Sequence, residues 1–314
     1  MIVYRELPSL VSDLGFSART LYSVSNDLSA HYRKVRIPKK DGGFRELAVP
    51  DRLLKRIQQR INERLLPLEE VSPWATAYRP GGGTRINASP HVGKPLVLKL
   101  DIFKFFDHAI YPLVKEKAFP ADRYSERNRV LLTLLCTYRD ALPQGAPTSP
   151  AISNILLREF DGKIGACCAD RGIAYTRYCD DMTFSGDFAP EAVIPIVKSE
   201  LRKLGFFLND RKTTAVRAGQ RQLVTGLVVN DRLGIPAEYL RSLRQELYYC
   251  RKYGLRSHME RRGLEGTCEQ YAAKLLGRIG YALSIDPKNT ALADARAWLL
   301  DAGKSCPDGG EEYG

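Results

Sequence analysis

Residues 94–106, KPLVLKLDIFKFF, form an apolar, β-prone run that carries an aspartate, Asp101, at the end of the strand it predicts. Further along, GIAYTRYCDDMTFSGD has aromatic and β-branched residues on both sides of Cys179-Asp180-Asp181, a pattern that predicts two short strands joined by a tight turn. Together these segments constrain the fold, because in an antiparallel sheet a strand end and a hairpin turn can bring their carboxylates to one point. Hard oxygen ligands gathered in this way suit two magnesium ions. In phosphoryl transfer one ion lowers the pKa of an attacking hydroxyl and the other neutralises charge on the departing pyrophosphate. Taken singly, each aspartate has an ordinary alternative: a strand-end Asp is also a cap or surface residue, and Asp-Asp is common turn chemistry.

Strands and helices alternate around these landmarks. Residues 17–31 carry a short helix, and residues 32–50 read as two extended segments, YRKVRIPK and FRELAVP, joined by a turn at Lys40-Asp41-Gly42-Gly43. Asp51 is an N-cap candidate for a helix in which Leu54, Ile57, Ile61 and Leu65 recur at helical spacing, while Arg52, Lys55, Arg56 and Arg60 occupy other faces. Pro80-Gly81-Gly82-Gly83 marks a loop. A helical region spans about Arg127 to Cys136, and LPQGAPTSP then opens onto a core helix carrying Ile152, Ile155, Leu156, Phe160 and Ile164. After the hairpin come a helix from about Pro190 to Leu204, a strand at GFFLN, and a strand pair around QLVTGLVVN and LGIP. From about Ala237 the chain reads as helical and basic, and the acidic end, PDGGEEYG, is expected to fray.

At 314 residues the chain has room for about two compact units. Its 48 Lys and Arg exceed its 36 Asp and Glu, a formal charge of +12 that favours a polyanionic partner, nucleic acid first, over a protein that is merely basic. The 7 cysteines include no C-x-x-C pair and none beside a His at zinc-ligand spacing, so reduced thiols in the cytoplasm are expected. Arg5 and Glu6 interrupt the first residues, and neither an export signal nor membrane insertion is expected.

Tyr178-Cys179-Asp180-Asp181 resembles the Y-x-D-D box of reverse transcriptases, LDIFKFF resembles their first palm motif, and LPQGAPTSP their P-Q-G-x-x-x-S-P box, all in the family's order. GFFLNDRKT is similar to the fourth palm motif, and KKDGGFREL to the fingers segment that holds the incoming triphosphate. Asn87-Ala88-Ser89-Pro90-His91 and Val224-Thr225-Gly226 resemble the N-A-x-x-H and V-T-G boxes that set retron enzymes apart within this family. The match covers about residues 33 to 230. There are departures: Asp107-His108 stands where many retron enzymes have Pro-Ser, and Cys179 replaces the commoner alanine.

The resemblance implies roles residue by residue. Asp101, Asp180 and Asp181 become the catalytic, magnesium-holding carboxylates, with the Ile102 backbone carbonyl an extra metal ligand. Phe106 becomes the aromatic gate that selects dNTPs over NTPs, although Phe105 and Phe106 also read as core aromatics, and alternation in extended chain would put one of them inside. Gln144 and Gly145 would lie against the nucleotide and the templating base, or form a plain turn. Arg45, with Lys39 or Lys40, would contact the triphosphate, each with a solvated surface charge as the alternative. Lys212 would protonate the leaving pyrophosphate, contact phosphate, or simply be exposed. Asn87 and His91 lie in a region that the family uses to grip RNA, with a locally satisfied His91 as the alternative. In the basic segment after residue 237, Arg244, Arg251 and Lys252 interleave with tyrosines, which suits a duplex-tracking surface or an amphipathic helix with its tyrosines inward.

The implied fold is an α+β right-hand polymerase: N-terminal helix and fingers at 1–95, an antiparallel ferredoxin-like palm with part of the fingers at 96–230, a helical thumb at 231–306, and a frayed tail at 307–314. The implied reaction copies part of a cognate non-coding RNA into DNA from dNTPs, beginning at a guanosine 2′-hydroxyl and ending in a branched RNA–DNA hybrid. The resemblance also implies antiphage defence with a separate effector protein, and self-assembly is possible. The alternatives are a reverse transcriptase of an intron-borne, diversity-generating or abortive-infection lineage, or a non-catalytic RNA-binding scaffold.

Overall fold

The computed structural model describes residues 4–38 and 42–304. Lys39, Lys40, Asp41 and the acidic tail lie outside the described residues. Helix α1 (Leu7–Leu14), which the sequence reading did not include, and α2 (Ala18–Asn26) bury Leu10, Leu14, Leu21 and Val24, and the Ser17 side chain caps α2 by accepting from the Thr20 N–H. Strands β1 (Tyr32–Pro38) and β2 (Phe44–Pro50) pair antiparallel from Tyr32↔Pro50 to Pro38↔Phe44. Asp51 caps α3 (Arg52–Arg64) through a 2.8 Å bond from the Leu54 N–H, and the helix buries Leu54, Ile57 and Ile61 as their spacing predicts.

The centre of the first unit runs α4 (Thr84–Ala88), β3 (Leu96–Asp101), α5 (Phe105–His108), α6 (Tyr111–Ala118), α7 (Glu126–Cys136), α8 (Ser149–Leu156), α9 (Arg158–Ala169), β4 (Ala174–Tyr178), β5 (Asp181–Gly186), α10 (Ile194–Lys203) and β6 (Thr214–Arg217). The sheet order is β4-β5-β3-β6 and every pairing is antiparallel, so the chain follows the β-α-β-β-α-β course of a ferredoxin-like arrangement. Strand alternation divides this sheet into two chemically different faces. Leu98, Leu100, Tyr175, Met182 and Phe184 join the core with Ile152, Ile155, Phe160, Ile164, Val197 and Leu201 of the helices. Thr176, Asp181, Thr183 and Ser185, opposed in register to each other or to β3, belong to the alternate, polar set with Lys99 and Asp101.

Several expectations fail locally: the core helix carrying Ile152 to Ile164 is two helices, α8 and α9, and LGIP forms no strand but one bridge, Gly234 to Val228. The helix expected over 190–204 splits into a 3₁₀ turn at Pro190–Ala192 and α10, because Pro195 lacks an N–H and is accommodated at a helix start. GFFLN is not a strand: Gly205 leaves α10 with φ +78°, and only Leu208 makes a bridge, to Ile102, before the turn Asp210–Lys212.

A second compact unit begins at Arg221. Its strands β7 (Leu223–Val224) and β8 (Leu227–Val228) are joined by Thr225-Gly226, both with positive φ (45° and 81°), as a type I′ hairpin turn requires. Helices α11 (Ala237–Tyr253), α12 (Leu255–Arg261), α13 (Cys268–Ile285) and α14 (Thr290–Lys304) follow and pack around Leu243, Leu247, Met259, Leu275, Ile279 and Leu299. A Thr267/Gln270 capping box starts α13. Cys136, Cys167, Cys168, Cys179 and Cys250 are free thiols, whereas Cys268 is disulfide-bonded, an exception to the expected reduced set. Among the described residues no helix is long and apolar enough to cross a membrane.

Candidate active site

The sheet places Asp101, the last residue of β3, directly opposite Asp181, the first of β5. Directly opposed residues point to the same face, so the two carboxylates share one side of the sheet. Asp180 lies in the two-residue turn before Asp181, and its carbonyl accepts from the Ile102 N–H at 3.2 Å. The sequence-predicted residues Asp101, Ile102, Asp180 and Asp181 are therefore adjacent in space.

Electrostatics follow from this crowding. Lost solvation, then the charges of Asp180 and Asp101, push the Asp181 carboxyl up to about 6, and Asp180 is raised by lost solvation and by repulsion from Asp101. Lys212 opposes the repulsion: its Nζ donates to Asp101 Oδ2 at 2.9 Å, which raises the lysine pKa, as do the other two carboxylates. Asn209 donates to Asp101 Oδ1 at 3.1 Å, and its own N–H donates to the Asp101 carbonyl at 2.8 Å. Among the described residues no three acidic, histidine or cysteine side chains already converge as a closed metal cluster. The donor set, mutually repelling carboxylates with hard oxygens, fits magnesium in its chemistry.

The turn itself is held from behind. Cys179 has φ +60°, an uncommon conformation for a residue with a Cβ, and its carbonyl accepts from Arg177 Nη1 at 2.9 Å. Arg177 has no exposed side-chain surface and also grips Asp161 of α9, through Nε at 2.8 Å and Nη2 at 2.5 Å. The Cys179 thiol is hydrogen-bonded to the Tyr78 hydroxyl, and burial, then the Asp180 charge, pushes it up to about 12. Sequence reasoning missed Arg177, Asn209 and Tyr78. The Arg177–Asp161 pair joins a strand to a helix with no local spacing rule, although a lone arginine in an otherwise apolar and aromatic strand is itself a signal.

The remaining expected residues fall in several places. Phe105 is core, with its ring 5.0 Å from Phe206, and Phe106 is half-buried and edge-on to Phe105 at 5.3 Å. They lie in the helical turn α5 and not in extended chain, so curvature, not strand alternation, separates their environments. Gln144 accepts from the Ala48 N–H of β2 at 2.8 Å, and a Cβ on Gly145 (φ +120°) would meet the Ala48 carbonyl oxygen at 2.8 Å. The close approach at this glycine is thus to the β1–β2 hairpin. Arg45 is exposed on β2, paired with Ile37.

Asn87 and His91 are fully buried. His91 is hydrogen-bonded to Ser185 (2.7 Å) and Thr176 (2.8 Å) on the polar sheet face, and Asn87 Oδ1 accepts from the Thr76 hydroxyl at 2.7 Å. Neither side chain has surface to offer an RNA, so the direct contact expected of them is not what this packing provides; the local satisfaction weighed for His91 is. In the second unit, Arg244, Arg251 and Lys252 are exposed on α11, with Arg251 over the Trp298 ring (5.2 Å) and Lys252 over Tyr253 (5.3 Å).

Comparison with known proteins identifies the family. The sequence model of the family "Reverse transcriptase (RNA-dependent DNA polymerase)" matches residues 37–238. The Retron Mx65 reverse transcriptase of Myxococcus xanthus is 33% identical over 310 residues, covering 91% of this chain and 70% of the relative. The Retron Ec86 reverse transcriptase of Escherichia coli is 28% identical, covering 87% and 82%, and the Retron Ec83 enzyme of the same organism is 30% identical, covering 82% and 84%. The chain is a reverse transcriptase, an RNA-directed DNA polymerase belonging to the bacterial retron group of that family.

Proposed function

We propose that this enzyme copies part of one cognate structured RNA into DNA, starting from a guanosine 2′-hydroxyl in that RNA and leaving a branched RNA–DNA product. The reading rests on the pairing of Asp101 with Asp181 across the ladder, with Asp180 beside Ile102, in a chain related to retron enzymes. Asp101, Asp180, Asp181 and the Ile102 carbonyl would hold two magnesium ions. When bound, the ions supply an acidified hydroxyl and a counter-charge for pyrophosphate.

The chain's own groups do the rest. Asn209 and Lys212 orient the Asp101 carboxylate, and the Lys212 ammonium, largely exposed and held beside Asp101, serves as the proton donor to the leaving pyrophosphate. Arg45, with Lys39 or Lys40, contacts the triphosphate. Gln144 and Gly145 tie the hairpin to the nucleotide site, and Phe106 sits against the sugar and excludes a 2′-hydroxyl. Residues 1–95 serve as fingers, the four-stranded sheet as palm and the last helices as thumb, with Arg244, Arg251 and Lys252 on the RNA backbone. Asn87 and His91 act as a brace on the polar face of the sheet, the face that also carries Asp101 and Asp181. Antiphage defence through a separate effector protein in the cytoplasm is the biological setting we infer.

The test is expression of the chain together with the DNA flanking its gene, followed by extraction of nucleic acid. A small DNA joined to RNA and sensitive to debranching enzyme is expected, and it disappears when Asp180 and Asp181 are both changed to Asn. Synthesis unchanged in that double variant overturns the site. Synthesis on a generic primed RNA without a branched product overturns the priming reading.

A further inference from the structure

The second unit contains a cavity of about 340 Å³, lined by Ser242, Glu246, Tyr249, Tyr253, His258 and Arg261, with Arg262 at its edge. Its volume lies in the range of small-ligand sites, roughly 300–1,000 Å³. A shallow gap between helices is usually apolar or lined by scattered surface charges. This one combines aromatic platforms, cations and an unsatisfied ring nitrogen.

The Tyr249 ring runs nearly parallel to Tyr253 (15°, 6.1 Å between centroids) and to His258 (18°, 5.9 Å). Tyr249 and Tyr253 remain 37% and 38% exposed, an outlay of aromatic surface that a folded core would normally cover. The Arg261 guanidinium lies 4.2 Å above the Tyr253 ring, and Arg262 is exposed next to it. His258 is only 5% exposed, and its Nε2 has no hydrogen-bond partner, although a buried ring nitrogen is normally satisfied. Glu246 accepts from the Tyr271 hydroxyl at 2.7 Å and pairs with Arg278, which fixes an acceptor group on the cavity wall.

We propose that this cavity captures one unpaired nucleotide of the bound RNA. The base stacks on the Tyr249–Tyr253 platform, its edge meets His258 and Glu246, and the flanking phosphate lies against Arg261 and Arg262. Aromatic rings beside guanidinium groups are the chemistry by which proteins hold splayed-out single-stranded bases, and a base edge is a partner matched to an orphan imidazole nitrogen. The proposal rests on the enzyme's use of a structured RNA, but it concerns a site distinct from the carboxylates.

The experiment uses the full-length protein and RNA transcribed from the DNA flanking its gene, with 2-aminopurine placed in turn at each unpaired position. One position is expected to change fluorescence on binding to the wild type. Tyr253→Ala and Arg261→Ala, both at exposed positions, are expected to abolish that change and to weaken RNA binding about tenfold, the scale of one lost base–aromatic stack. Both variants should keep wild-type synthesis on a generic primed template. His258→Phe, which keeps the ring, is expected to bind the RNA but to lose discrimination among bases at that position. RNA affinity and fluorescence unchanged in both exposed variants overturn the proposal, as does a signal displaced only by free nucleoside monophosphates. A wild type that neither binds this RNA nor copies it points instead to failure of the functional reading.

Discussion

Arg177, a guanidinium with no contact with solvent, donates to the carbonyl of Cys179, the residue whose left-handed backbone turns the chain so that Asp180 and Asp181 face Asp101. The proposed catalytic carboxylates are therefore set by a residue on the opposite face of the hairpin that carries Asp180 and Asp181. Arg177→Met leaves Asp161 buried without its partner and is expected to cost about 3–5 kcal/mol, read by urea denaturation. Arg177→Lys keeps the charge but loses the planar fork that reaches Asp161, Asn154 and Cys179 together, so kcat should fall while KM for dNTP stays near wild type. A lysine variant with unchanged kcat would show that the turn holds its shape unaided.

Asp181 faces Asp101 across the ladder with Asp180 adjacent, and this concentration of like charge works against folding when no cation is added. Asp181→Asn should abolish DNA synthesis and at the same time raise the melting temperature in chelator-containing buffer. Magnesium should stabilise the wild type much more than the variant. A melting temperature lowered by this substitution would mean that the carboxylate is a structural acceptor and not a cation ligand.

The position of Gly145 is the contact between the P-Q-G loop and the hairpin. A methyl group there would meet the Ala48 carbonyl at 2.8 Å, on a backbone with φ +120° that L side chains rarely adopt. Gly145→Ala is therefore expected to displace β2, at a cost of about 1–3 kcal/mol. Because Arg45 lies on that strand, KM for dNTP should rise severalfold with RNA affinity retained. Equal losses of dNTP and RNA binding would indicate general unfolding of the loop.

Much of this site is legible in the sequence because strand ends and turns are local. The strand predicted from the apolar run ends at Asp101, and the hairpin turn falls at Cys179-Asp180, so Asp101, Asp180 and Asp181 can be named from the sequence alone. What is not legible depends on contacts between distant segments. Arg177 is matched to Asp161, 16 residues earlier on the preceding helix, a helix-to-strand pairing that no spacing rule within one element announces, and Asn209 reaches Asp101 across more than a hundred residues. Phe105 and Phe106 continue an apolar run, yet Lys104 at φ +44° breaks it into a helical turn, which period-2 reasoning does not foresee. Asn87 and His91 show the opposite error: a box singled out for its resemblance proves to be packed inside, where polar side chains serve the fold.

His91 supplies a test of that inward role. Burial lowers its pKa from 6.5 to about 4, so the ring is neutral in the folded protein where the unfolded chain binds a proton. The depressed value fixes the sign. Its contribution is full above pH 6.5 and is lost as the pH falls towards 4, by on the order of 3 kcal/mol in all. Denaturation midpoints measured from pH 7.5 to 4.5 should therefore decline more steeply in the wild type than in His91→Gln, whose amide can still reach Ser185 or Thr176 but does not titrate. RNA affinity at pH 7.5 should stay close to wild type in the glutamine variant as long as it remains folded. A folded His91→Gln protein with strongly reduced RNA binding and an unchanged pH slope would restore this histidine to the RNA-contacting surface.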